Sequence, residues 1–301
     1  MSRETFAAIA RPRQLAHPSK RRFNAMRLVG SLAVHLSLSA CAVLMIFPLL
    51  WLISTSLKDP GQQFAFPPQM VPVPLYFQNY ADLFHLLPMW TFLYNSFKIS
   101  ILSVVGNCLA SAFAAFAFAR MRFRGRDALF AALLATMMIP GQVTIIPTFV
   151  LVHLLGWLDN HAALIVPNFF GSAFNVFLLR QFFRGVPQEL MDAAKIDGAG
   201  FTRIFWQIFV PLGIPALATV SVFNFLWSWN DLFGPLIYLN SQDNFTVTLG
   251  LTFLQGRAGQ MRGRWGVMMA GALLGVIPML ILYFAAQRYF VQGLARTGLK
   301  G

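Results

Sequence analysis

"ELMDAAKIDGAGFTRIFWQIFVPLGIP", residues 189–215, carries three of the chain's ten acidic residues, two basic residues and a Gly-Ala-Gly turn. Its polar half lies between two runs free of Asp, Glu, Lys and Arg, 160–179 and 204–230, each long enough to cross a bilayer. The stretch reads as two short helices. Pro187 suits a first helical turn, and Glu189 near that start suits the positive end of the helix dipole. Leu190 and Ala194, four apart, share a face, while Asp192 and Lys195 point elsewhere. Gly198 and Gly200 break the first helix, because glycine takes positive φ at low cost. A second, amphipathic helix begins near Phe201 and runs into Pro211 and Pro215, with Ile204, Phe205, Ile208 and Phe209 as its apolar stripe.

Outward from this segment the chain is apolar. Hydrophobic residues make up 57% and charged residues 11%, with 31 phenylalanines. A soluble domain carries about 25% charged residues, so the chain is expected to be an all-α integral membrane protein. Charge-free runs cover 28–57, 99–119, 128–158, 160–179, 204–230 and 265–287. Each reaches the ~20 residues that a helix needs to cross the bilayer, which predicts six transmembrane helices. The segment 232–256 is not counted. Asp243 splits it into pieces too short to span, and interfacial or re-entrant structure is the better reading.

Residues 1–27 form a basic tail, not a signal peptide, since the apolar run that follows is too long for an h-region. Residues 28–301 then make one six-helix domain, with no internal repeat. Lys and Arg fall unevenly on the loops: 18 lie on the side of the two termini and four on the other. The positive-inside rule therefore puts both termini in the cytoplasm. The net charge of +13 is a topology signal, and no nucleic-acid-binding motif accompanies it. Cys41 and Cys108 fall inside apolar runs without partner spacing and read as small buried hydrophobes.

"MDAAKIDGAG" followed by "FWQIFVPLGIP" resembles the cytoplasmic signature loop of binding-protein-dependent ABC importer permeases. That signature runs Glu-Ala-Ala, Asp-Gly-Ala, then a spaced Phe, Ile, Pro and Pro. Here it is met by Asp192-Ala193-Ala194, Asp197-Gly198-Ala199, Phe205, Ile208, Pro211 and Pro215, with Asp192 in place of the usual Glu. "LYNSFKISIL" (93–102), "FNVFLLRQFFRGVPQEL" (174–190), "FLWSWNDLFGPLIYL" (225–239) and the terminal "GLKG" (298–301) are similar to carbohydrate importer permeases. They look most like the maltose-type second subunit and its glycerol-phosphate relatives. The likeness covers roughly residues 30–301.

The resemblance implies a type I ABC importer permease in the bacterial cytoplasmic (inner) membrane. The partners it implies are a second related permease, a cytoplasmic ATPase dimer and a periplasmic or lipid-anchored solute-binding protein. In that family the first helix of the loop (187–210 here) is a coupling helix that docks on the ATPase. The implied contact residues are Glu189, Asp192, Ala193, Ala194, Asp197, Gly198 and Ala199. The outer segment 58–90, rich in proline, would face the binding protein. The chain itself is expected to bind no cofactor, with ATP and Mg used by the ATPase.

The residues agree with that division of labour. No phosphate-binding loop, GxSxG elbow, HExxH pair or clustered His/Cys/carboxylate set is present, so the chain reads as a non-enzyme. Among the five scattered histidines only His35 lies deep in a span, where a helix-packing hydrogen bond is the expectation. Polar residues in spans turn toward other helices or a cavity, which makes Asn95, Asn107, Gln142, Asn168, Asn175, Asn224 and Asn230 the candidates. "NFLWSWND", 224–231, is the best cluster, with Asn224, Trp227 and Asn230 suited to sugar hydroxyls and faces. Its two tryptophans suit an interfacial aromatic belt equally well. Lys98 is expected to snorkel to the outer headgroups. Pro140 and Pro147 interrupt the third run, as a pathway kink or as local packing. A secondary transporter or channel that needs no ATPase is the alternative, and it would lack an intramembrane carboxylate for ion coupling.

Overall fold

The computed structural model describes residues 25–258 and 264–297. The basic tail up to residue 24, Arg262 and the "GLKG" end lie outside them. The described residues are helical, with no strand among them. In chain order the helices are α1 (Ala25–Ser56), α2 (Gln78–Leu86), α3 (Met89–Arg120), α4 (Arg126–Ala135), α5 (Gly141–Leu154) and α6 (Ala162–Ile165). After a 3₁₀ turn at Val166–Phe170 come α7 (Ala173–Arg184), α8 (Gln188–Ile196), α9 (Phe201–Ile204), α10 (Val210–Leu212) and α11 (Ile214–Asn230). The series closes with α12 (Phe233–Tyr238), α13 (Val247–Ala258) and α14 (Trp265–Thr297).

Four helical stretches are long and apolar enough to cross a membrane: Gly30–Ser56, Met89–Arg120, Ala162–Arg184 and Trp265–Gln287. The third and fifth apolar runs are bent, the third at Pro140, one of the two prolines that interrupt it in the sequence. Arg126–Met138 and Gly141–Leu154 meet at 99°, and Phe201–Leu212 and Ile214–Asn230 at 78°. Counting each bent pair as one span brings the number up to six.

Both bends have local causes. Ile139 is pushed to extended backbone (φ −85°, ψ 114°) by Pro140, whose ring disfavours a helical predecessor and which supplies no N–H. At the second bend Gly213 sits between Pro211 and Pro215, and a Cβ there would lie 2.7 Å from the Phe209 carbonyl oxygen and 2.9 Å from the Phe183 ring. The helix approaching it already widens into a π turn at Phe205–Phe209. The second span starts at Met89, ahead of the charge-free run, because Lys98 is carried on the exposed surface of α3. Its Nζ lies 3.4 Å from His161 Nδ1.

The chain divides into two compact units, one up to Leu50 and one from Trp51 onward. The first is helix. His35 Nδ1 is 2.7 Å from the Ser31 carbonyl one turn back. The second unit is organised on α3, which packs chiefly against α7 and α11. Three clusters fill it, a small one of Val152, Ala163 and Tyr238 and two larger ones. One joins Ala112, Ala115 and Phe116 of α3 to Leu179 and Phe183 of α7, Met191 of α8, Phe205, Phe209 and Val220 of α11. The other joins Leu83 of α2, Phe92 of α3, Phe245, Leu249 of α13 and Val267 and Ala270 of α14. Neither α12 nor α13 is long enough to span, in keeping with the exclusion of 232–256. Cys41 and Cys108 are free thiols, and Cys108 Sγ lies 3.0 Å from Ser221 Oγ.

Candidate functional site

The signature segment forms a wedge held by its inner face. α8 carries Glu189 in its first turn and Lys195 in its last, complementing the dipole at both ends. Met191 is 1% exposed and plugs into the cluster of Phe183, Ile204, Phe205 and Phe209. Ala194 and Ala199 pack against the same cluster. Leu190, which periodicity pairs with Ala194, is instead 43% exposed, so the inner face is Met191 with Ala194. Glu189, Asp192, Ala193, Asp197 and Gly198 all face out. Ile196 is 87% exposed, a bare apolar side chain at the tip of the wedge.

The turn after α8 needs glycine. Gly198 has φ +77°, its N–H donates to the Lys195 carbonyl at 3.0 Å, and the Ala199 N–H donates to the Ala194 carbonyl at 2.9 Å. These two bonds close the helix in the left-handed cap that glycine adopts without a Cβ penalty. Asp192 lies 3.7 Å from Lys195 and accepts from the Gln188 side chain at 3.0 Å.

Arg120, at the end of α3, anchors the wedge from behind, a role that its place in a basic loop does not reveal. Its guanidinium donates to the Phe183 carbonyl (Nε 3.0 Å, Nη2 2.6 Å), to the Val186 carbonyl, and through Nη1 to Gln188 Oε1 at 2.8 Å. The group lies over the Phe209 ring at 5.3 Å. One fork of donors thus fastens the end of α7, the start of α8 and the π turn together.

The path candidates separate into three kinds. Asn95 is buried and its NH₂ donates to the Asp243 and Phe245 carbonyls at 2.7 and 3.0 Å, tying α3 to the 243–245 connection. Asn175 donates to Asn107 Oδ1 at 2.6 Å, and Ser111 donates to the same oxygen at 3.1 Å, a buried interhelical network. Asn230 is exposed and donates to the Leu226 carbonyl at 2.7 Å. Asn224 and Trp227 line a pocket of about 160 Å³ with Asn168, Ser228, Asp231 and Thr246, closed on its apolar side by Ile99, Leu164 and Pro235. Trp229 faces away from it. That ring is 3% exposed, stacked on Phe225, with its Nε1–H donating to the Gly275 carbonyl at 2.9 Å.

Connections on the other side of the bundle are also tied. The Asp159 carboxylate accepts from the backbone N–H groups of Asn240 (3.0 Å) and Ser241 (2.9 Å), from the Ser241 hydroxyl and from Asn244 Nδ2 at 3.1 Å. Those donors, the Ser241 side chain first, hold it well below the usual carboxylate range. Lys58, at the end of α1, is 1% exposed, with Nζ 4.1 Å from the centre of the Trp51 ring.

Comparison with known proteins places this geometry in context. Residues 106–296 match the family described as binding-protein-dependent transport system inner membrane component. The arabinooligosaccharides transport system permease protein AraQ of Halalkalibacterium halodurans is 36% identical over 268 residues, covering 86% of this chain and 93% of its own. The sn-glycerol-3-phosphate transport system permease protein UgpE of Yersinia pestis is 33% identical over 266 residues, covering 86% and 94%. Among solved structures, a chain of a bacterial ABC transporter involved in the import of the acidic polysaccharide alginate superposes with a TM-score of 0.77. That match is at 25% identity and covers 91% of this chain and all of that one.

Proposed function

Because the chain belongs to the family of binding-protein-dependent transport system inner membrane components, we propose that it works as one half of a translocation pathway, driven from outside the membrane by a separate ATPase. It is the permease subunit of an ABC importer for a sugar or sugar-phosphate, as its relatives are. The two bent pairs, each taken as one span, and the excess of Lys and Arg on one side support six spans with both termini in the cytoplasm. The home of such a chain is the bacterial inner membrane.

The observation that carries the coupling role is the wedge. α8 is capped at its end, plugged into the core by Met191 and fastened by Arg120, yet it presents Asp192, Ala193 and Ile196 to the outside. A connector lying on a membrane surface would not need that socket. ATP and Mg²⁺ act on the ATPase dimer, whose closure draws this wedge toward that of a second, related permease. The spans then rock from inward-open to outward-open, and a docked binding protein releases its solute into the cavity. The pocket lined by Asn224 and Trp227 supports a role for them in meeting that solute, and the bonds of Asn95 to the 243–245 connection support a positioning role for it.

Affinity purification of the chain from its native membrane tests the assignment, with Asp192→Lys and Gly198→Pro run beside wild type. An ATPase and a second permease should co-purify with wild type and be lost from both variants while the chain still inserts. Transport by this chain alone, with no ATPase recovered, overturns the reading and favours a secondary transporter.

A further inference from the structure

The pocket beside α11 restricts what can enter it. Its volume of about 160 Å³ holds about five waters, the space of one polyol or sugar ring. Asn224 Oδ1 is buried in its wall with no hydrogen-bond partner, whereas buried polar atoms are normally paired. The Asn168 NH₂ is already engaged by Ser103 Oγ at 3.2 Å and the Leu164 carbonyl at 2.9 Å, so what that side chain has left to offer is an acceptor oxygen. Asp231 adds a carboxylate that accepts the backbone N–H groups of Gly234 (3.2 Å) and Phe233, two of the roughly four acceptor sites a carboxylate offers. Ser228 and Thr246 supply hydroxyls, and Trp227, 83% exposed, supplies an aromatic face.

Two features of this lining decide the ligand class. Acceptors outnumber fixed donors, so an occupant must bring its own O–H groups. Among the described lining residues the one charge is negative; Lys98, next in sequence to the lining Ile99, is turned to His161. A phosphate or uronate would meet a carboxylate at close range with no cation to offset it, and a partly desolvated like-charge contact is costly.

We propose that this pocket is a solute subsite selective for a neutral, polyhydroxylated molecule, in which Asn224 Oδ1 and the Asp231 carboxylate accept hydroxyl protons and Trp227 covers an apolar ring face. It rests on the importer reading, and it chooses between the neutral and anionic solutes that the relatives' names span.

The test is uptake of a labelled panel by the native host with and without this chain. Neutral probes are arabinotriose, maltotriose and trehalose; anionic probes are sn-glycerol 3-phosphate, glucose 6-phosphate and digalacturonate. Chain-dependent uptake should be confined to neutral probes, and Asn224→Leu should slow it about tenfold, the effect of one lost hydrogen bond. Asp231→Asn keeps an acceptor and removes the charge, so anionic probes should compete with uptake in that variant and not in wild type. A merely structural role for Asp231 would not create that competition. Chain-dependent uptake of an anionic probe, uptake of none of the panel, or unchanged competition in Asp231→Asn overturns the proposal. Recovery of the ATPase with each variant separates the two failures: ATPase-driven uptake of an anionic probe sinks the subsite and leaves the importer standing.

Discussion

Gly198 and Arg120 show how much of the wedge depends on single side chains. At φ +77° a Cβ is strained whatever space surrounds it, and here the space is open. Gly198→Ala is therefore expected to cost about 1–2 kcal/mol, read as a lowered melting temperature of the purified chain. Gly198→Asn should recover part of that loss, because asparagine tolerates left-handed backbone. A steric clash would instead penalise asparagine more than alanine. For Arg120, removal of the fork takes the side-chain donors from the Phe183 and Val186 carbonyls and leaves Phe183 with the Val186 N–H at 3.3 Å. Arg120→Ala should cost on the order of 3 kcal/mol, from two under-satisfied acceptors. Arg120→Lys should restore only a fraction, because an ammonium cannot reproduce the planar fork. Equal melting temperatures for the lysine variant and wild type would mean that charge alone matters at this position.

At the scale of elements, the tie between the α5–α6 connection and the 240–244 turn is an acid-resistant one. Donors from Ser241, Asn240 and Asn244 favour the charged form of Asp159, so its folded pKa lies below its unfolded value near ~3.9. A depressed carboxylate contributes stability that is fully present above the unfolded pKa and is lost as pH falls through the folded one. The melting-temperature gap between wild type and Asp159→Ala should thus stay constant from about pH 5 to 8 and shrink below about pH 4. A gap that changes between pH 6 and 8 would place the titrating group elsewhere. The elements also show what is readable in a sequence. Charge-free runs mark the spans, because the bilayer imposes length and polarity directly. Prolines mark both bends, Pro140 at the first and Pro211 and Pro215 at the second, but not their angles, since hydropathy carries no information about helix direction. Periodicity chose Leu190 over Met191 because both are apolar and only the folded position of Phe205 and Phe209 decides between them.

For the whole molecule, the candidate sites lie where distant segments meet. The 224–231 cluster is visible as a polar interruption of an apolar run, and Asn168 as a polar residue inside another. Thr246 and the anchoring role of Arg120 are not visible, since each acts on a segment far away in the chain. Assembly with the ATPase should run through the exposed tip of α8. With Cys41 and Cys108 replaced by Ala, Ile196→Cys should cross-link to a cysteine placed in the ATPase cleft, giving a combined band on a non-reducing gel. Met191→Cys, on the buried side of the same helix, should not; cross-linking from Met191 alone would reverse the orientation of the wedge. This two-sidedness bears on how such transporters diversify. In one nine-residue helix, Met191 and Ala194 answer to the permease's own interior, while Glu189, Asp192, Ala193 and Ile196 face out and, on the function proposed above, answer to the ATPase. On that reading a duplicated gene would change its motor by drift at the outward positions alone, keeping the socket intact, and a lineage would share one ATPase among many permeases by holding only those few outward residues alike.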